Sequence, residues 1–141
     1  MIEQNKALTI VGWVLTGLVS ALLLGMSAPA KLTRSPQAVE GMQKMGYPEN
    51  ALVPIGVAEA ASTVLYLIPQ TAVLGAVLLT GYLGGATDVH VRNGDEIAKL
   101  AVPVIVGVLV WFGLWLRDPR VRNLLPIRFG GEKSVSRVEE K

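Results

Sequence analysis

Five ionisable residues lie inside or beside segments that are otherwise apolar, and they are the candidates for chemistry in this chain. They are Lys31, Glu59, Asp88, His90 and Arg92. The neighbours of Glu59 are small or apolar, and in such a setting desolvation favours the protonated carboxyl. A carboxyl and an imidazole can exchange protons, and cationic side chains can bind polar oxygens. The pattern indicates proton transfer or ligand contact by Glu59; an interhelical hydrogen bond with a purely structural role is the open alternative.

His90 is the single histidine, and the chain has no cysteine. One chain therefore cannot form a multi-histidine or thiolate metal site, a disulfide or a bis-histidine haem site, so no metal site is predicted. Any electron carrier would have to be bound non-covalently or be held by a partner.

The elements that position these residues follow from the charge distribution. Only 17% of the 141 residues are charged, against about 25% in soluble domains. Residues 7–30 and 100–116 carry no charge, and residues 51–87 carry only Glu59. This distribution excludes a soluble globular enzyme, a disordered chain and a DNA-binding domain.

A membrane span needs about 20 helical residues. The apolar segments predict four spans at about 7–28, 51–68, 71–91 and 97–116, with a tight turn at Pro69. The predicted fold class is all-α, an integral membrane four-helix bundle over residues 1–128. Residues 129–141 are predicted to be a polar, disordered tail.

A cleaved signal peptide is the alternative for the first span, because Ala28-Pro29-Ala30 resembles a cleavage site. The apolar run is longer than the 7–15 residues of a typical signal peptide, which favours a retained helix.

A short amphipathic helix is predicted in the interface between the first two spans. Ser35 can cap it and Pro36 can begin it. Apolar residues then recur at helical spacing: Ala38, Val39, Met42 and Met45. This helix either packs across the mouth of the bundle or forms a lid over a site.

An even number of spans places both termini on one side of the membrane. Basic residues are concentrated on that side, in the tail: Arg117, Arg120, Arg122, Arg128, Lys133, Arg137 and Lys141. This excess predicts a multi-pass plasma membrane protein with both termini in the cytoplasm. We expect Arg117 to snorkel, Tyr66 to lie in an interfacial aromatic belt, and the basic tail to meet anionic lipid rather than nucleic acid.

The same topology brings four ionisable side chains to the opposite mouth of the bundle. Lys31 ends the first span there, and Asp88, His90 and Arg92 end the third. Glu59 is expected about 12 Å further down the second span. The prediction is a polar vestibule that leads to Glu59.

The third span is also rich in glycine, at Gly75, Gly81, Gly84 and Gly85. Gly81 and Gly85 form a small-xxx-small pair, which predicts the close approach of another helix. That helix belongs either to the same bundle or to a second subunit.

Several short strings in the chain resemble the DoxX-like family of small four-helix membrane proteins. They lie at residues 27–32 (SAPAKL), 46–48 (GYP), 55–59 (IGVAE), 65–75 (LYLIPQTAVLG), 80–86 (TGYLGGA), 90–92 (HVR), 111–120 (WFGLWLRDPR) and 124–126 (LLP). The resemblance covers about residues 8–128 and implies a four-helix membrane bundle. Wider relatives include subunits attached to quinone-linked sulfur oxidation and to oxidative-stress membrane complexes. Lys31, Glu59, His90 and Arg92 are the positions characteristic of the family, whereas Asp88 departs from the small residue expected there.

These observations lead to one functional hypothesis and two alternatives, and they assign no reaction. The hypothesis is an accessory or subunit protein that binds a lipophilic molecule such as a non-covalent quinone, with Glu59 and His90 exchanging protons and Lys31 and Arg92 orienting oxygens. Its expected partners are the bilayer and either a membrane redox complex or a second copy. The alternatives are a non-enzymatic scaffold or assembly protein and a small transporter, although no inverted repeat supports transport.

Overall fold

A computed structural model describes residues 6–125, and every regular element in that part of the chain is helical. In chain order the elements are α1 (Lys6–Leu22), a π-helical turn (Leu23–Ser27), α2 (Ala28–Leu32), α3 (Pro36–Lys44), a 3-10 turn (Glu49–Ala51), α4 (Leu52–Leu67), α5 (Ala72–Arg92), α6 (Ile97–Arg117) and α7 (Pro119–Leu124). The predicted tail, 129–141, lies outside the described residues.

Four continuous helical segments are long and apolar enough to cross a membrane. They are Lys6–Leu32, Glu49–Leu67, Ala72–Arg92 and Ile97–Arg117. Their lengths of 19 to 27 residues correspond to about 28–40 Å. Their outward side chains are apolar and exposed, as a surface in contact with lipid requires. The predicted all-α membrane bundle is confirmed, and the protein is a multi-pass membrane protein.

The first span continues beyond its predicted end at residue 28, because a π-helical turn accommodates the following proline. The Ala28 N–H donates to the carbonyl of Leu23, one residue further back than in an α-helix. Pro29 has no N–H, so the wider turn before it relieves the clash that a proline causes inside a regular helix. As a result α2 carries Lys31 alongside α4.

The helices pack in a closed order, with α1 against α6, α6 against α5, α5 against α4, and α4 against α2. Tyr66, fully buried, lies at the centre of this packing. Its hydroxyl donates to the carbonyl of Val110 at 2.8 Å and lies 3.2 Å from the hydroxyl of Thr16. The prediction that Tyr66 belongs to an interfacial belt is wrong, since this residue joins α4 to α1 and α6 inside the bundle.

The close contact between α4 and α5 occurs at Gly75 and not at the predicted pair, Gly81 and Gly85. A Cβ built on Gly75 would lie 2.2 Å from the backbone nitrogen of Tyr66. At Gly81, Gly84 and Gly85 a Cβ would meet no other part of residues 6–125 within 4 Å. The short turn between α4 and α5 holds these helices together beside Gly75. The predicted close approach at Gly81 and Gly85 therefore does not occur within the described bundle.

The predicted amphipathic helix is present as α3. Ser35 caps it, because the Ser35 hydroxyl accepts a hydrogen bond from the Ala38 N–H at 3.3 Å. Met42 is buried beneath the helix. For the description below, the end of the bundle with α3 is the α3 end, and the end with Lys6 and Arg117 is the tail end.

Substitution of Gly75 tests the close α4–α5 contact. We expect Gly75→Ala to destabilise the protein by about 1–3 kcal/mol, because its methyl group would overlap the backbone of Tyr66. Gly84→Ala, in the same helix but with open space around it, is the control and should be neutral or slightly stabilising. Thermal unfolding in mild detergent measures both; equal losses of stability would contradict the contact.

Candidate functional site

A buried ion pair joins the first and second spans near the α3 end. Lys31 Nζ lies 2.7 Å from Glu59 Oε2, with the Glu59 side chain fully buried and that of Lys31 16% exposed. Lys31 also donates to the Ser27 hydroxyl at 2.6 Å. Sequence reasoning placed Lys31 at the mouth and Glu59 about 12 Å deeper. The structure brings them into direct contact instead.

The contact depends on a glycine one turn before Glu59. A Cβ built on Gly56 would lie 2.9 Å from the Cβ of Lys31. Gly56 and Glu59 are three residues apart, so they share one face of α4. The missing side chain at Gly56 lets α2 approach that face and places the Lys31 amine beside the carboxylate.

The polar cluster around this ion pair includes a tyrosine that sequence reasoning missed. Lys31 Nζ lies 5.6 Å from the centre of the Tyr82 ring, within the range of a cation–π interaction. Glu59 Oε1 is buried and has no hydrogen-bond partner among residues 6–125. One of the two carboxylate oxygens is thus unpartnered within the described chain.

A cavity of about 510 Å³ lies next to this cluster and is called the Lys31 cavity. Residues from α3 form one wall, and residues from α5 form another. The lining residues are Ser27, Ala30, Lys31, Ala38, Gly41, Met42, Met45, Tyr47, Ile55, Gly81, Tyr82, Gly85, Ala86, Val89 and His90. The lining is mainly apolar, with an amine, an imidazole and phenol groups at its edges. Both predicted roles of α3, packing across the mouth of the bundle and covering a site, are compatible with this position.

His90 lines the Lys31 cavity and is held by an acidic residue. His90 Nδ1 lies 2.7 Å from Asp95 Oδ2. This contact occupies one ring nitrogen, so Nε2 is the nitrogen available to a ligand. The sequence alone does not show that the loop after α5 turns back and brings Asp95 to the imidazole.

The other two predicted members of the vestibule lie outside this cavity. Asp88 and Arg92 are 3.9 Å apart, and about two thirds of each side chain is exposed. They are four residues apart and share one face of α5. The cavity is lined by the face that carries Tyr82, Gly85 and His90. The structure therefore brings together Lys31, Glu59 and His90 but separates Asp88 and Arg92 from them.

A metal site would need several donor side chains in one place. Within residues 6–125, no three His, Cys, Asp or Glu side chains are grouped as metal ligands would be. The polar groups of the Lys31 cavity are suited instead to hydrogen bonding with ligand oxygens.

Arg117 is buried at the tail end of the bundle, where it contacts two aromatic rings. Its guanidinium carbon lies 4.4 Å from the centre of the Trp13 ring and 4.8 Å from that of Tyr66. Arg117 Nη2 donates to the backbone carbonyl of Tyr66. The expectation that Arg117 snorkels is wrong, since the residue is only 7% exposed. Gly12 lets α1 approach α6 closely at this point, because a Cβ there would lie 2.7 Å from the backbone nitrogen of Arg117.

Asp118 follows Arg117 and caps α7, where its carboxylate accepts a hydrogen bond from the Arg120 N–H at 2.9 Å. The Arg120 side chain also donates to both carboxylate oxygens, at 3.3 and 3.2 Å. Burial raises the pKa of Asp118, but the hydrogen bonds and charge of Arg120 outweigh it and hold the pKa below its usual range.

Comparison with known proteins gives one match. The model of a family described as the DoxX-like family matches residues 14–113. The matched range contains Lys31, Glu59, Tyr82, His90 and Asp95, and it ends before Arg117. No curated protein and no solved structure shows a significant match to the chain.

A double-mutant cycle tests the buried ion pair. We expect Lys31→Met and Glu59→Gln each to lose about 3–5 kcal/mol of stability, because each leaves a buried polar partner unpaired. The double variant should lose less than the sum of the two, by about 1–3 kcal/mol. Thermal or denaturant unfolding in detergent gives the values.

The control is the Lys44–Glu40 pair on α3, which has the same N–O distance of 2.7 Å but exposed side chains. Lys44→Met should leave stability unchanged, because solvent screens such a pair. Additive effects of the Lys31 and Glu59 substitutions would contradict the interaction.

Proposed function

The chain belongs to the DoxX-like family, and we propose that it is an accessory membrane protein that binds a quinone-like lipophilic molecule in the Lys31 cavity. The observation that carries this proposal is the convergence of Lys31, Tyr82 and His90 on one mainly apolar cavity between membrane spans. A volume of about 510 Å³ falls in the usual range for small-molecule sites, about 300–1,000 Å³.

The cavity offers complementary groups to both parts of such a ligand. Apolar side chains from three helices, including Met42, Ile55 and Val89, can pack against a ring or an acyl chain. The Lys31 amine can donate to one ring oxygen, and His90 Nε2 can exchange a proton with another. Arg92, first expected to orient oxygens, does not line the cavity and is left out of this proposal.

In this proposal two pairs of side chains exchange protons with the ligand: His90 with Asp95, and Lys31 with Glu59. Asp95 holds His90 Nδ1 and fixes the orientation of the ring, which leaves Nε2 for a ligand. Glu59 lies behind Lys31 and has one unpartnered oxygen. A quinone, when bound, supplies reversible electron and proton chemistry. The chain itself holds the oxygens and accepts or returns the protons.

A scaffold or assembly protein is the second candidate, and one observation favours it. Glu59 is fully buried in a contact that joins α2 to α4, and it forms no part of the cavity lining. On this hypothesis the polar cluster only fixes the packing of the helices.

Two features of the chain indicate possible kinds of partner: the absence of cysteine and the apolar cleft between α5 and α6. Without cysteine, an electron carrier is either bound non-covalently, as a quinone would be, or held by a second protein, and on the second alternative we propose a membrane redox complex as the partner. A second copy is the other proposed partner, because Gly84 lies in an apolar cleft of about 540 Å³ between α5 and α6. The tail-side arginines support a plasma membrane location with cytoplasmic termini.

Two neighbouring glycines on α5 provide a matched test of ligand binding. Gly85 lines the Lys31 cavity, whereas Gly84 faces the cleft between α5 and α6. A photoreactive benzoquinone analogue should label α3 and α5 in the detergent-purified protein. We expect Gly85→Leu to reduce this labelling about tenfold, because the new side chain fills the cavity, and Gly84→Leu to leave it unchanged.

Equal labelling of the wild type and both variants, or no labelling of any, would reject quinone binding. The scaffold candidate gains support when Glu59→Gln lowers the unfolding temperature while the quinone analogue stabilises neither form.

The absence of cysteine makes the proposed orientation directly measurable. Asn93 lies after α5 at the α3 end, and Asn123 lies in α7 at the tail end; both are exposed. In intact cells, a membrane-impermeant maleimide should label Asn93→Cys at once and Asn123→Cys only after permeabilisation. The reverse result would place both termini outside the cytoplasm.

A further inference from the structure

Arg117 has hydrogen-bonding capacity that the described chain does not use. Its Nη2 donates to the Tyr66 carbonyl, but Nε and Nη1 are buried and have no acceptor among residues 6–125. Its two aromatic neighbours, Trp13 and Tyr66, contribute cation–π contacts but no anion. A buried guanidinium without an anionic partner costs free energy, so an anion that reached it would be bound favourably.

A cavity of about 500 Å³ lies beside this guanidinium and is called the Arg117 cavity. Its lining includes Trp13, Pro69, Ala72, Arg117, Asp118 and Arg120. It lies at the tail end, and the Lys31 cavity lies at the α3 end. Arg117 and Arg120 are outside the range matched by the family model.

The N-terminus of α5 faces the same cavity. Ala72 is the first residue of this 21-residue helix and lines the cavity. The preceding residue, Thr71, provides no side-chain cap, because its hydroxyl donates to the Leu65 carbonyl at 2.8 Å. The N–H groups of an uncapped first helical turn attract anions, and the helix dipole adds to this attraction.

The charged side chains around the cavity have a net positive charge. Arg117 and Arg120 contribute two positive charges, and Asp118 contributes one negative charge. The hydrogen bonds of the Asp118 carboxylate go to Arg120, and Asp118 acts on the Arg117 guanidinium through its charge without a hydrogen bond. The site therefore keeps one positive charge for a ligand.

From these contacts we propose that the Arg117 cavity binds the phosphate of an anionic phospholipid head group. Arginine is well suited to phosphate, and two of its nitrogens are unused here. Arg117 is the last residue of a membrane span, which places it at the depth of the lipid head groups. Trp13 is 41% exposed on the lipid-facing surface of α1, so an acyl chain has a path out of the cavity along that helix.

Lipid titration followed by native mass spectrometry tests this site in the delipidated full-length protein. Phosphatidylglycerol should bind the wild type about tenfold more tightly than phosphatidylcholine with the same acyl chains, because both lipids carry the phosphate but only phosphatidylcholine carries a cationic choline, which the net positive charge of the site disfavours. Arg117→Lys and Arg120→Gln should each remove most of this preference. Arg122→Gln is the matched control, since it removes the same charge from α7 outside the cavity, and it should retain the preference.

Unfolding temperatures measured alongside identify any variant that fails to fold. Arg120→Gln keeps the test valid if Arg117→Lys is unstable, because the Arg120 side chain is 75% exposed. Equal binding of both lipids, or an equal loss in Arg122→Gln, would overturn the proposal. Displacement of phosphatidylglycerol by millimolar inorganic phosphate would identify a soluble anion as the ligand and would overturn the assignment to lipid. Neither result depends on quinone binding in the Lys31 cavity.

Discussion

The hydrocarbon core of a membrane offers no water to its polar groups, and this constraint accounts for most of the contacts in the bundle. Hydroxyl groups within the spans donate to carbonyls one turn earlier, as Thr63 does to Glu59 and Thr80 to Ala76. Tyr66 places its hydroxyl between α1 and α6. The Lys31–Glu59 pair follows the same rule for a charged group, since the fully buried Glu59 carboxylate has the Lys31 amine as its partner in place of water.

Against this background, the buried polar atoms that remain unpartnered are informative. Two of the five such atoms among residues 6–125 are the hydroxyl oxygens of Thr9 and Ser20. The other three belong to charged groups: a carboxylate oxygen of Glu59 near the α3 end and two nitrogens of Arg117 at the tail end. Each of these three charged-group atoms lies close to a cavity, and α5 connects the two cavities by lining one at Ala72 and the other at His90. The bundle therefore has two separate polar regions: one at the α3 end around the Lys31–Glu59 pair, and one at the tail end around Arg117.

The two regions depend on backbone features that are not themselves polar. The π-helical turn carries α2 past Pro29 and brings Lys31 beside Gly56. Gly12 gives α1 close access to the backbone around Arg117, and Gly75 does the same for α5 beside Tyr66. Small residues thus set the distances between helices, and those distances decide which polar side chains can meet.

The sequence by itself determined the four spans, the helix α3 with its Ser35 cap, and the choice of Lys31, Glu59 and His90 as candidate site residues. These properties are local: hydrophobicity over about 20 residues and the identity of a charge within it are enough to recognise them. The tertiary structure alone decided that Lys31 pairs with Glu59, that Asp95 holds His90, that Tyr82 joins the cluster, and that Asp88 and Arg92 lie outside it. The tertiary structure also decided that the Arg117 side chain is buried inside the bundle. The physical reason is that a helix presents a different face with each residue, so its rotation and its distance from its neighbours, which the π-helical turn and the glycines set, determine which side chains meet.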